Sequence, residues 1–181
     1  MKQDFSSLSP REALRIAIAI EARNAQIYHQ LSDLLSHFCP DFPDIASSFL
    51  DLARAEHQHG ELLTARYCER YGNKNDDITE EDIRDFIETP RFEIASIVEA
   101  VEKGQPASAH RIALEIADAA ERSALHYYRR LAATTLDPQL KALYEEFVRF
   151  EQEHTDRLET DLGTPTSTLT PIKGSPPKAH A

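Results

Sequence analysis

Two short stretches pair an acid with a histidine three residues on: Glu56-His57-Gln58-His59 and Glu151-Gln152-Glu153-His154. On a helix a three-residue step puts both side chains on one face. Each stretch can therefore offer an oxygen and a nitrogen to the same metal ion. One such pair alone is most simply an exposed ion pair. What sets these two apart is where they stand. The first lies in the seam Ile45, Phe49, Leu52, Glu56, His59, Leu63, and the second in the seam Leu140, Tyr144, Phe147, Glu151, His154, Leu158. Both seams advance by alternating steps of four and three, the spacing of a helix face buried against other helices. Burying an unpaired carboxylate costs several kcal/mol, roughly, even after relaxation, so something must compensate.

Two further acids occupy the same kind of position. Glu21 interrupts the seam Leu14, Ala17, Asn24, Tyr28, Leu31, Leu35, and Glu121 interrupts Leu114, Ala117, Ala124, Tyr128, Leu131. These seams are related by an internal repeat. A shift of 100 residues superposes Arg11, Ala13, Leu14, Ile16, Ala17, Ala19, Glu21, Tyr28 and Leu31 on identical residues. Helical periodicity accounts for some apolar matches but not for the acid and the tyrosine seven residues later. A shift of 95 places Glu56, His59 and Leu63 on Glu151, His154 and Leu158. The chain thus reads as two helix pairs. Each gives one Glu from its first helix and one Glu-x-x-His from its second.

Glu21, Glu56, His59, Glu121, Glu151 and His154 together offer four carboxylates and two imidazoles. Such a set can hold two divalent first-row ions, whose charge balances the four acids and removes the burial penalty. Without metal the acids would repel one another, and some would need to be protonated. Carboxylate with imidazole suits iron, with manganese as the alternative. Zinc is expected only as an occupant of a purified or crystallised sample. Asp118, three residues before Glu121, is a candidate outer or switching ligand. His57 lies about 100° around the helix from Glu56 and is expected to face solvent, with Glu153 off its seam. Tyr28 and Tyr128 are expected in the core with their hydroxyls near the ligands. His29, His110 and His126 read as surface residues.

The elements that must position these residues are legible from their end signals. Ser9-Pro10 with Glu12 starts a helix running to about residue 37. A short loop leads into a second, from Pro43 to Gly72, which should pack antiparallel to the first. Thr79 looks like the N-cap of a short helix through about residue 88, and a further amphipathic piece spans 92–103. The third long helix spans about 106–135. Asp137-Pro138 starts the fourth. The expected organisation is an N-terminal segment over 1–8, an all-α four-helix bundle over 9–162 with a helical crossover insert at 73–105, and a flexible tail over 163–181. Cys39 and Cys68 would lie roughly 38 Å apart on this scheme, too far for a disulfide.

Composition narrows the partners. A net charge of −11 and the lack of a basic stripe exclude a nucleic-acid partner and an anionic membrane surface. No apolar run approaches the ~20 residues of a membrane span. The N-terminus lacks a signal-peptide pattern, so a cytoplasmic location is expected.

The chain resembles the ferritin-like superfamily of di-iron carboxylate bundles, and within it the rubrerythrin family. The resemblance rests on Glu21 with Arg23-Asn24 and Tyr28, on Glu56-His57-Gln58-His59, on Glu121 with Tyr127-Tyr128, and on Glu151-Gln152-Glu153-His154. It implies a non-haem di-iron oxidoreductase that reduces peroxide or dioxygen, with the six ligands as the catalytic set. Many rubrerythrins carry a rubredoxin domain. This sequence has no Cys-x-x-Cys, so an external electron donor is expected. Ferroxidase or iron-carrier activity is the alternative, and an interaction module with a structural metal a further one. A homodimer is expected by analogy with such bundles.

Overall fold

A computed structural model describes residues 5, 8–73, 83, 84, 86, 87 and 94–164. Among these residues there are five helices and no strand: α1 (Pro10–Phe38), α2 (Pro43–Tyr71), α3 (Ile94–Glu102), α4 (Pro106–Thr134) and α5 (Pro138–Gly163). Most of the short helix expected from Thr79, the start of the segment from Phe92, most of the N-terminal segment and the tail beyond residue 164 lie outside the described residues. The four long helices match their expected bounds to within a residue or two.

Their ends are fixed by local chemistry. The Ser9 hydroxyl accepts from the Glu12 amide while the Glu12 carboxylate accepts from the Ser9 amide, a complete capping box. Asp137 accepts from the amides of Gln139 and Leu140 at the start of α5. All four long helices carry Pro in the first turn, where a missing N–H costs nothing.

The loop at 39–42 sets α2 antiparallel to α1, with Ser32 Oγ donating to the Ala46 carbonyl across the pair. Tyr28 bonds to Glu121 and Tyr128 to Glu21, so α4 also runs antiparallel to α1. It follows that α2 and α4 are parallel, and the chain between them must return along the bundle. A helix of 29 residues is about 43 Å long. The insert meets both ends of the core. Ile83, Phe86 and Ile87 pack with Leu14, Tyr127 and Phe5, whereas Ile97 and Ala100 pack with Phe49, Ala109 and Ala113. This is the ferritin-like helical bundle with its crossover.

The apolar core forms two clusters. One contains Ile20, Leu63, Tyr67, Tyr128 and Phe147; the other contains Leu31, Leu35, Phe49, Leu52, Leu114 and Leu158. The buried acids occupy the layer between them. Cys39 and Cys68 are free thiols. No described helix is long and apolar enough to cross a membrane.

Candidate metal centre

Each of the four long helices contributes one carboxylate to the middle layer. Glu21, Glu56, Glu121 and Glu151 have no exposed surface. His59 and His154 follow their acids by one turn and close the layer on the α2–α5 side, where 12% and 16% of their side chains stay exposed. Nδ1 of His59 lies 3.4 Å from Glu21 Oε2, 3.6 Å from Glu56 Oε1 and 4.0 Å from Glu151 Oε1. Nδ1 of His154 lies 3.0 Å from Glu56 Oε1 and 3.4 Å from Glu121 Oε2.

None of these approaches has hydrogen-bond geometry. Six carboxylate oxygens, from Glu21, Glu56, Glu121 and Glu151, and both Nδ1 atoms are buried without a hydrogen-bond partner. Orphaned polar atoms at this density are costly and demand an explanation. A metal ion supplies one. Ligand atoms at about 2.1 Å from a common ion stand about 3 Å apart when at right angles, close to the spacings found. The donors form two overlapping four-residue sets, Glu21–Glu56–His59–Glu151 and Glu56–Glu121–Glu151–His154, joined by a third group, Glu56–His59–His154; the ligand atoms of each group lie within 4.8 Å of one another. Glu56 and Glu151 belong to both. Neither has an oxygen engaged in a hydrogen bond, so each can reach two ions.

The other two acids are held from behind. The Tyr28 hydroxyl on α1 donates to Glu121 Oε1 on α4 at 2.5 Å, and the Tyr128 hydroxyl on α4 donates to Glu21 Oε1 on α1. Each tyrosine fixes one oxygen of a terminal acid and leaves the other aimed inward. Partners of this kind orient ligands and tune their basicity.

Electrostatics among the buried side chains show the strain. Burial, then the neighbouring carboxylates Glu121 and Glu21, hold the Glu56 carboxyl well above the usual range. Burial and then Glu56, Glu121 and Glu21 do the same to Glu151. Burial also acts to raise Glu121, but His154, Glu151 and Tyr28 beside it outweigh that and leave it low. Burial would lower the His154 imidazole; Glu121 and Glu21 outweigh it and push it up. Both tyrosines are driven well above their ordinary values, by burial first and then by the acids they bond. They remain donors. Two dications would neutralise the four acids.

The structure brings together all six residues singled out by spacing. It does not bring in Asp118. That carboxylate accepts from Arg122 Nε at 2.7 Å, and Arg122 continues to Glu159 on α5. Its other oxygen, Oδ1, is buried without a hydrogen-bond partner, but Asp118 belongs to none of the donor groups. His57 faces solvent beside Glu61, and His29, His126 and Glu153 are exposed, all as expected. His110 differs: it is half-buried with its ring edge-on to Phe49, 6.2 Å between centroids. Parallel α2 and α4 bring these two residues together, a pairing that depends on the crossover and not on local pattern. Phe150 was not anticipated. Its ring stacks on His59 at 4.7 Å and 15°, steadying the imidazole at the rim. An aromatic immediately before the Glu of Glu-x-x-His was the available signal.

Bundle and donor set define a class: helical metal proteins whose carboxylates and histidines share one buried layer. The rubrerythrin family model matches residues 12–160, and the chain belongs to the rubrerythrin family. Among solved structures, an uncharacterized conserved protein from Magnetospirillum magnetotacticum MS-1 is similar, with 26% identity and a TM-score of 0.67 over 87% of this chain and 97% of that one. No curated protein matches. Family and donors together support a di-iron or related metal site in this layer.

Proposed function

We propose that the chain is a non-haem di-iron oxidoreductase that reduces peroxide or dioxygen with electrons from an external donor. The observation that carries this reading is the pair of overlapping donor sets sharing Glu56 and Glu151. A structural ion needs one closed set, whereas two adjacent sets suit a reaction that consumes two electrons at once. Two ferrous ions, when bound, would supply those electrons, and peroxide reduction takes up two protons with them to give two waters.

The chain's own residues set the conditions. Glu56 and Glu151 would give up their protons to bind metal, and no hydrogen bond to their oxygens would hold them in one orientation. Glu21 and Glu121 are held through Tyr128 and Tyr28, which would fix their orientation toward a bound metal. Among the six donors, only His59 and His154 retain exposure, which supports approach of a small oxidant from the α2–α5 side. The two apolar clusters keep bulk water from the layer, which favours controlled proton uptake. Manganese is the alternative metal in this proposal, a cytoplasmic homodimer the working form.

The test is turnover. Anaerobic di-ferrous protein is mixed with excess hydrogen peroxide and a reductant. Many peroxides consumed per chain support the proposal. A single oxidation per loaded iron followed by iron release would instead make the chain a ferroxidase or carrier. Metal-dependent stability without any redox reaction would make the site structural.

A further inference from the structure

Asn24 is 1% exposed, yet neither its Oδ1 nor its Nδ2 has a hydrogen-bond partner. A buried amide with all its capacity unmet is a standing cost to the fold. It stands on the same seam of α1 as the two residues that serve the metal layer, three after Glu21 and four before Tyr28. The crossed bonds Tyr28–Glu121 and Tyr128–Glu21 fix the register of α1 against α4. Midway between them, Asn24 and Ala25 stand level with Ala124 and Leu125. Asn24 therefore stands on α1 at the level of the metal layer, whereas His59 and His154 come from α2 and α5.

The repeat sharpens the point. Glu21 and Tyr28 recur as Glu121 and Tyr128, but the counterpart of Asn24 is Ala124. The ligands are duplicated and the amide is not. An amide whose task was to hold α1 to its neighbours would bond to a backbone or side-chain group. This one is buried with both its donor and its acceptor unmet, as are six carboxylate oxygens and both histidine Nδ1 atoms of the neighbouring layer.

We infer that Asn24 is a positioning residue for the small oxygen species the centre takes up, water or oxidant, donating from Nδ2 and accepting at Oδ1. This rests on the metal reading above. One side of the cradle then grips the non-protein ligand and the other, with only a methyl group, leaves it room. The two halves of the layer would be made unequal at this position.

The test uses Asn24→Ala and the bulkier Asn24→Leu in the full chain, with three readouts: iron content, the thermal midpoint of metal-free protein, and azide affinity of the oxidised, iron-loaded protein by absorbance titration. The inference predicts parental iron content, a metal-free midpoint no lower than the parent's in at least the Leu variant, and azide binding weaker by about tenfold or more. Azide bound as tightly as by the parent would overturn the inference. So would a lowered midpoint in both variants, the mark of a structural amide, or loss of iron in both. A parent chain that itself takes up no iron would overturn the metal reading, and this inference with it; the other outcomes leave that reading standing.

Discussion

The hydroxyl of Tyr28 on α1 reaches across the bundle to Oε1 of Glu121 on α4, 2.5 Å away and fully buried. Its counterpart Tyr128 does the same for Glu21 in the opposite direction. The bond ties the two halves of the repeat together at the metal layer, so that packing of α1 on α4 and orientation of the acids are one event. Without the hydroxyl, Glu121 Oε1 would join the orphaned atoms. We expect Tyr28→Phe to weaken metal binding by about 10- to 100-fold, as for other partners of ligand groups. Tyr128→Phe should cost a similar factor because its bond is the mirror of the first. Competition titration against a chelator measures both. An unchanged affinity in the two variants would mean the tyrosines are packing residues only.

Asp118 marks the opposite case. Its Oδ2 is committed to Arg122, whose side chain is 52% exposed, while the Asp118 side chain is 17% exposed and its Oδ1 is buried without a hydrogen-bond partner. Asp118→Asn should leave the metal content at the parental value and shift stability by less than about 1 kcal/mol. Metal analysis and chemical denaturation check both. A loss of metal would return Asp118 to the ligand set.

Protonation couples the cradle to pH. Glu56 and Glu151 have folded pKa values raised above the unfolded reference of 4.5, and His154 is raised above 6.5. For a raised pKa the folded state binds the proton more tightly than the unfolded chain. The stability so gained is present below the unfolded value and is lost as pH rises through the folded one. Glu121, held low, contributes the other way and offsets part of this. Chelator-treated protein should therefore lose thermal stability as pH rises above the reference values of 4.5 for the two acids and 6.5 for the histidine. Metal-loaded protein should not, because ligands that must shed protons bind metal more tightly at higher pH. Melting curves with and without metal test the divergence; parallel pH profiles would contradict it.

Gly60 lies in the middle of α2, where glycine costs a helix about 1 kcal/mol relative to alanine. A Cβ built there would meet Glu21 Cβ at 3.6 Å, an ordinary contact. Gly60→Ala should thus stabilise the fold by about 0.5–1 kcal/mol and keep the metal. Gly60→Leu should push against Glu21 and weaken binding. Denaturant titration and metal competition separate these effects.

Much of this was legible in the chain itself. Glu21, Glu56, His59, Glu121, Glu151 and His154 stand at seam positions where only a compensated charge can survive. Ser9 and Asp137 announce helix starts, and the repeat pairs the halves. What could not be read locally depends on register between distant helices. The tyrosines were placeable in the core, but their crossing to the opposite acid requires α1 and α4 to be aligned. The half-burial of His110 against Phe49 requires the crossover. Asp118 has a spacing from Glu121 that suits a ligand, but the arginine one turn on, which spacing alone does not weigh, takes one of its two oxygens.

The central claim is that Glu56 and Glu151 are shared between two metal positions. Iron content after anaerobic loading tests it in the parent and in four variants: Glu56→Ala, Glu151→Ala, Glu21→Ala and Glu121→Ala. The account predicts about two ions per chain in the parent, retention of about one when a terminal acid is removed, and loss of both when a shared acid is removed. Equal retention in all four variants would contradict the sharing. No iron in the parent would contradict the metal centre itself.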